Sequence, residues 1–148
     1  MDMTMVVGYR HTGIIVENME QSLVFYRDFL GLEVIQEFWD DSDYICRITC
    51  LEDATAHFVK LRANDGTVLE LLEYPTHRTP LLPQPIHNVG VLHIAFEVGD
   101  VDLAVSTLRD LGVRVLSNPE VSPEGIAKVC FCLDPNGIRI ELVEMLVT

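Results

Sequence analysis

The stretch DGTVLELLEY at residues 65–74 decides the fold, because its pattern returns as NGIRIELVEM at residues 136–145. The two stretches align without a gap, so Glu70 of the first matches Glu141 of the second. Each begins with an Asp-Gly or Asn-Gly pair and continues as an apolar, β-prone run, which predicts the second strand of a hairpin. A strand repeated in this way indicates that the chain carries two copies of one structural unit.

The beginnings of the two copies match as well. HTGIIVENMEQSLVFYRDFLGLEV starts at His11, and HIAFEVGDVDLAVSTLRDLGVRV starts at His93. In each, a short apolar run leads to a potential helix cap, Asn18 or Asp100, then to apolar residues at helical spacing, and then to a glycine that ends the helix. Strand-like segments follow: LEVIQEFW, YICRITC and AHFVKLRA in the first copy, and VRVLS and AKVCFCL in the second. With the hairpin strand at its end, the second copy has the predicted order β-α-β-β-β, and the first has the same order with YICRITC as one further strand-like segment.

The sequence predicts one domain over residues 1–148, built from two modules of the α+β class. Module one covers about residues 6–74 and module two about residues 89–147. Between them, the Pro-rich segment PTHRTPLLPQPIHN at residues 75–88 has no clean periodicity and is expected to be a linker.

Composition narrows the function classes. Hydrophobic residues make up 49% of the 148-residue chain, which is typical of a globular protein. With 23 acids against 10 bases, the formal charge of −13 argues against nucleic-acid binding. The N-terminus has the pattern of neither a signal peptide nor a membrane span, so we expect a soluble, cytoplasmic protein that does not bind membranes. The four cysteines are spaced poorly for zinc and are expected to be reduced packing residues.

The side-chain alternation of the strands places polar residues on one face. Around His93 and around Glu141, the neighbouring positions that alternate with them are apolar and suit a helix-covered face. Glu70 stands in the same way between Leu69 and Leu71. The repeat puts His11 in the position of His93. One His and one Glu of each module therefore point away from the apolar layer.

Two imidazoles and two carboxylates suit a divalent ion such as Zn, Ni, Co, Mn or Fe. The sequence thus predicts a metal site made by His11, Glu70, His93 and Glu141. Glu73 and Glu144 lie one residue out of phase with the predicted ligands and are expected to face solvent. The remaining histidines lack the support of the repeat and are expected in loops or at the surface: His57, His77 and His87.

These motifs resemble the vicinal oxygen chelate superfamily, which includes glyoxalase I, methylmalonyl-CoA epimerase, bleomycin-resistance proteins and extradiol dioxygenases. The resemblance implies an α+β fold in which two tandem βαβββ modules form an eight-stranded cleft around one divalent metal. Its metal ligands fall at His11, Glu70, His93 and Glu141. It also implies a metal-dependent lyase or isomerase of the glyoxalase I type, which shifts a proton next to a chelated carbonyl through an enediolate. By similarity, Glu141 is the expected base and Glu70 its partner across the substrate.

Several alternatives stay open at this point. The chain could be a metal-dependent epimerase of an acyl-CoA, a ring-cleaving dioxygenase, or a non-catalytic protein that binds a small molecule or antibiotic. For the last alternative, Trp39 and Tyr44 are candidate cleft-lining aromatics. Glyoxalase I usually has an Arg a few residues after its first ligand and an Asn shortly after its second, and both contact glutathione. In this chain Ile15 and Tyr74 stand near those places, so this part of the glyoxalase I pattern is not matched. The expected partners are a small-molecule substrate and a second copy of the chain in a homodimer.

Overall fold

The computed structural model describes residues 4–147. It divides between Pro80 and Leu81 into two compact units, the first containing module one and the second containing module two. Each module is built on a four-stranded mixed sheet. The α+β class and the duplicated module predicted from the sequence are therefore confirmed. Residues 75–88 contain neither helix nor strand.

The two modules share one strand order. In module one the elements are β1 Thr12–Ile15, α1 Met19–Leu23 continued by a π-helix Val24–Phe29, β2 Glu33–Asp40, α2 Asp43–Thr49, β3 Ala56–Arg62 and β4 Val68–Glu73. In module two they are β5 His93–Glu97, α3 Val101–Asp110, β6 Glu120–Val121, β7 Ala127–Leu133 and β8 Arg139–Met145. The sheets run β1-β4-β3-β2 and β5-β8-β7-β6. The first and last strands of each module are parallel, and the other neighbouring strands are antiparallel.

The helices begin where the sequence predicts. Asn18 caps α1 by accepting a hydrogen bond from the Gln21 N–H at 3.0 Å, and Asp100 caps α3 by accepting from the Leu103 N–H at 2.9 Å. A side-chain oxygen in this position satisfies a backbone donor that the first helical turn leaves unpaired. After Leu23 the first helix continues as a π-helix, in which Phe25 and Tyr26 are buried in the core.

The two hairpin turns are also confirmed. In the first, Gly66 has a φ of +90°, and the Ala63 N–H bonds to the Thr67 carbonyl at 2.9 Å. In the second, Gly137 has a φ of +79°, and the Asp134 N–H bonds to the Ile138 carbonyl at 2.9 Å. Only glycine adopts such backbone angles without steric cost. These turns fix the register of the strands that follow them.

Two strand predictions were wrong. The segment YICRITC forms the helix α2 instead of a strand. Asp43 is a favourable residue for the first turn of a helix, and Ile45 on the apolar face of this helix is buried against Phe58 and Leu72. The segment VRVLS makes only an isolated bridge, at Val115. The outer strand of module two is instead the two-residue β6.

Glu73 and Glu144 do not face solvent, which corrects a second expectation. Glu73 accepts a hydrogen bond from the Met19 N–H at 3.0 Å, and Glu144 accepts one from the Val101 N–H at 2.9 Å. Met19 and Val101 are the first residues of α1 and α3. Free N–H groups and the positive end of the helix dipole both favour a carboxylate there. Each module therefore ties its helix to its last strand with this second glutamate.

All four cysteines are free thiols, but the expectation that they are packing residues does not hold for Cys50, which is exposed, and Cys46 is partly buried. Cys130 and Cys132 are buried in β7. Burial raises the pKa of Cys132 to about 12, so its thiol stays protonated near neutral pH. Separately, none of the helices within residues 4–147 has the length and apolar character needed to cross a membrane.

The contact between Glu144 and the start of α3 can be tested by substitution. Glu144→Ala should lower the free energy of unfolding by about 1 kcal/mol, the usual cost of losing a helix-terminal acceptor. The measurement is urea unfolding followed by circular dichroism. Glu124→Ala is the control, because Glu124 is exposed in the turn before β7. Equal stability of the two variants would contradict the capping role.

Candidate metal-binding pairs

The same strand register positions one His and one Glu in each module. In module one, β1 and β4 are parallel with Gly13 opposite Glu70, and His11 lies two residues before Gly13. In module two, β5 and β8 are parallel with Ala95 opposite Glu141, and His93 lies two residues before Ala95. His93 and Ala95 both lie in β5 and share a face, so His93 is a diagonal neighbour of Glu141. His11 is the residue before β1, and its distance to Glu70 shows the corresponding placement. The duplication thus extends to the geometry of the pair.

The pair in module one is well shielded. His11 Nε2 lies 3.5 Å from Glu70 Oε1, and the Glu70 residue is only 7% exposed. The other carboxylate oxygen, Oε2, lies 3.7 Å from the Lys60 Nζ. Lys60 is the residue of β3 directly opposite Glu70. Glu70 therefore has an imidazole on one side and an ammonium group on the other.

The pair in module two is more open. His93 Nε2 lies 3.1 Å from Glu141 Oε2, and their side chains are 47% and 22% exposed. Phe131 occupies the position opposite Glu141 on β7. Its ring contacts the His93 ring edge-on, with the centroids 5.4 Å apart. This contact orients the imidazole with an apolar group where module one has a charged one.

Both pairs have a separation that suits shared coordination. Two ligands that bind one ion at about 2.0–2.2 Å lie roughly 3.0–3.5 Å apart in octahedral or tetrahedral geometry. The nitrogen–oxygen distances of 3.5 Å and 3.1 Å are close to this range. Among residues 4–147, no group of three or more His, Cys, Asp or Glu side chains is placed so that it could hold an ion. The structure thus brings the four predicted ligands together as two pairs, and the four-ligand set stays a prediction.

An apolar cluster lies on the same face of module one as Glu70. Leu72 and the opposing Phe58 share that face, and α2 packs on them through Ile45. The cluster is completed by Ala56, Phe38, Cys46 and Tyr74. Burial, together with the charge of Glu70, raises the pKa of Tyr74 and keeps its phenol protonated near neutral pH. The face that carries Glu70 is therefore covered by α2 at its Phe58 and Leu72 positions.

The sequence reasoning missed Lys60. The sequence contains a pattern that indicates this lysine: counting outward from the Asp65-Gly66 turn pairs Lys60 with Glu70 across the hairpin. Oppositely charged residues in directly opposite positions stabilise a sheet and are a recognisable pattern. The repeat search overlooked it because the equivalent residue of the other module is Phe131.

The remaining histidines differ from one another. His57 was expected in a loop or at the surface, but it is a buried residue of β3, and that expectation was wrong. Its Nε2 lies 2.8 Å from Glu37 Oε1, and its ring stacks on Trp39 with centroids 4.1 Å apart. These contacts explain why a polar ring is tolerated there. His77 and His87 lie outside the helices and strands, as predicted.

Trp39 and Tyr44, the aromatics considered for a binding cleft, lie on different elements. Trp39 belongs to β2 and Tyr44 to α2, and both are exposed. Trp39 contacts His57 rather than the His11–Glu70 pair. Its position therefore gives no particular support to a ligand-binding aromatic wall.

The sequence is similar to a protein-family model and to named relatives over most of its length. The family model described as Glyoxalase/Bleomycin resistance protein/Dioxygenase superfamily matches residues 8–142. A protein of Synechocystis named as a probable lactoylglutathione lyase is 30% identical over 135 residues, covering 90% of this chain and 92% of the relative. An ethylmalonyl-CoA/methylmalonyl-CoA epimerase of Cereibacter sphaeroides is 29% identical over 146 residues, covering 95% and 100%.

The fold has a close counterpart among solved structures. The crystal structure of a glyoxalase family protein from Bacillus cereus superposes with a TM-score of 0.89, at 23% identity, over 99% of both chains. This likeness concerns the fold, and the family model concerns the sequence. Together with the duplicated His–Glu pairs, they confirm the predicted resemblance: the chain belongs to the glyoxalase/bleomycin resistance protein/dioxygenase superfamily.

Proposed function

We propose that this protein is a metal-dependent lyase or isomerase of the glyoxalase I type. It would shift a proton on a carbon next to a chelated carbonyl, through an enediolate. The observation that supports this most is the repetition of one His–Glu pair in the same strand register in both modules, at separations suited to a shared ion. A structural role alone would not require the same polar pair in both modules, each time on the sheet face opposite α1 or α3.

The residues that would hold the ion are His11, Glu70, His93 and Glu141. Nitrogen and carboxylate ligands suit Ni, Co, Zn, Mn or Fe, with one divalent ion per site. When bound, the ion would supply Lewis-acid stabilisation of the negative charge that develops on the substrate oxygens. The proposal requires two pairs per ion, either from one chain or from two chains of a homodimer.

Glu141 is the better candidate for the base. Glu70 is nearly buried and is flanked by His11 and Lys60, which restrain its carboxylate from both sides. Glu141 lies 3.1 Å from His93 Nε2, has the neutral Phe131 opposite it where Glu70 has Lys60, and is more exposed. A carboxylate that must reach the substrate proton needs this freedom of movement. Glu70 would then act from the opposite side of the substrate.

A second candidate function is epimerisation of an acyl-CoA. It is supported by the similarity to the Cereibacter sphaeroides epimerase, which extends over 95% of this chain. Both candidates use the same proton transfer next to a carbonyl. They differ in the substrate, a hemithioacetal for the lyase and a thioester for the epimerase.

The ligand set can be tested by metal uptake. His11→Ala and His93→Ala should each weaken binding of Ni²⁺ or Zn²⁺ by at least about 100-fold, because even outer-shell partners of a metal contribute 10- to 100-fold. The measurement is isothermal titration calorimetry, with elemental mass spectrometry of the purified proteins. His87→Ala is the matched control, since His87 is exposed in the segment between the modules. Unchanged uptake in His93→Ala would show that the ligand assignment is wrong.

The base can be tested by solvent proton exchange. Glu141→Gln should keep its metal but slow the exchange of the substrate C–H by about 10²- to 10⁴-fold, the usual contribution of a positioned base. Deuterium incorporation is followed by NMR with the methylglyoxal–glutathione hemithioacetal and with methylmalonyl-CoA. The control is Glu144→Gln, whose side chain contacts the start of α3 on the other face of the same strand. Exchange at the wild-type rate in Glu141→Gln would move the base role to another residue.

A further inference from the structure

We infer that α2, Asp43–Thr49, is a lid on the sheet face that carries Glu70, and that the lid opens by unfolding locally. Opening uncovers apolar residues beside the pair that we propose to bind the metal in module one. The purpose of the lid therefore rests on the proposed function. The motion itself follows from the way in which α2 is attached to the module.

The helix α2 is an addition to the duplicated unit. It lies in residues 41–55 between β2 and β3, whereas the corresponding strands β6 and β7 are joined by residues 122–126 without a helix. In module two, the opposed pair Val129 and Val143 is partly exposed. This pair takes the place that the opposed Phe58 and Leu72 have in module one. The sheet therefore does not need a cover at these positions, which indicates that α2 has a role toward what it covers.

The covered positions are next to Glu70. Phe58 and Leu72 are opposite each other, and Lys60 and Glu70 form the neighbouring pair on the same face. The two pairs are separated by roughly 7 Å along the strands. Ile45 of α2 packs on Phe58 and Leu72. Undocking of α2 would thus open an apolar surface directly beside the carboxylate.

Few interactions hold α2 in place. It has seven residues, and Ile45 is the buried one. Ser42 at its N-cap makes no side-chain hydrogen bond to the helix, since its hydroxyl donates to Asp40 at 2.6 Å. A helix of this length is not stable by itself in water, so α2 is helical only while Ile45 is docked. Docking and helix formation are therefore one event, and undocking is a local unfolding step.

The chain that follows α2 has the features of a hinge. Cys50 has a φ of +58° and Asp53 a φ of +53°, and within residues 4–147 these are the non-glycine residues with positive φ. Side chains disfavour this left-handed region, so opening relieves a conformational cost of the docked state. Ala54, the next residue, is buried and marks the end of the movable part. Residues 50–53 are therefore the proposed hinge.

Cys46 is a natural probe of the opening, because its side chain packs against the cluster that α2 covers. The experiment follows its modification by N-ethylmaleimide in metal-free protein by mass spectrometry. The exposed Cys50 is replaced in Cys50→Ser so that it does not compete, and the two cysteines of β7 are buried. Labelling of Cys46 should be faster than global unfolding allows. Its rate should not change in low urea, because a local opening exposes little surface.

Two substitutions should shift the opening in opposite directions. Cys50→Gly has the same thiols as Cys50→Ser but no side chain in the left-handed region, so labelling should be about 5-fold slower. Ile45→Ala in the Cys50→Ser background should accelerate labelling by at least about 30-fold. Ile48→Ala is its matched control and should change the rate less than about twofold, since Ile48 is exposed on the same helix. If Ile45→Ala does not fold, Ile45→Val replaces it, with an acceleration of about threefold.

Three results would overturn the inference. The first is labelling of Cys46 that only follows global unfolding, measured by circular dichroism in the same urea series. The second is an equal effect of Ile45→Ala and Ile48→Ala. The third is an equal labelling rate in Cys50→Ser and Cys50→Gly.

The labelling needs no metal, so the lid and the proposed function can fail separately. A protein that takes up no metal but opens at α2 keeps the lid and loses the proposed function. A protein that binds its metal but exposes Cys46 only on global unfolding keeps the proposed function and has no lid.

Discussion

The parallel pairing of the first and last strands of each module is the constraint on which the rest depends. It sets His11 diagonally beside Glu70, and it sets His93 diagonally beside Glu141. A slip of one residue in either ladder would turn the histidine or the glutamate to the face covered by α1 or α3. The hairpin turns that precede β4 and β8 align these strands with β3 and β7, their neighbours on the other edge. The position of each glutamate therefore depends on the backbone pairing of its strand with both neighbours.

The last strand of each module, β4 or β8, carries one glutamate on each face of the sheet. Glu70 and Glu141 lie on the face opposite α1 and α3, while Glu73 and Glu144 accept hydrogen bonds from the first residues of these two helices. The odd spacing between the two glutamates of each strand explains this division, because alternate residues point to opposite sides. The repeated glutamates of the sequence thus divide into two groups: Glu73 and Glu144 stabilise the helix starts, and Glu70 and Glu141 are the proposed metal ligands.

Much of the fold could be predicted from the sequence, because it depends on local signals that the chain gives twice. Asn18 and Asp100 mark helix starts, and the Asp-Gly and Asn-Gly pairs mark the turns. The errors arose where tertiary contacts decide. The segment containing Ile45 forms a helix because it packs on Phe58, which no local pattern shows. The caps made by Glu73 and Glu144 join elements that are distant in sequence, and a search for repeats could not find Lys60 because only one module has it.

Whether two His–Glu pairs share one ion can be measured by X-ray absorption spectroscopy of the Ni²⁺- or Zn²⁺-loaded protein. If they do, each ion will have two imidazole nitrogens, its remaining protein ligands will be oxygens, and there will be one ion for every two pairs. One imidazole per ion, with two ions bound per chain, would contradict it, because each pair would then bind its own ion and the duplication would not create a single site.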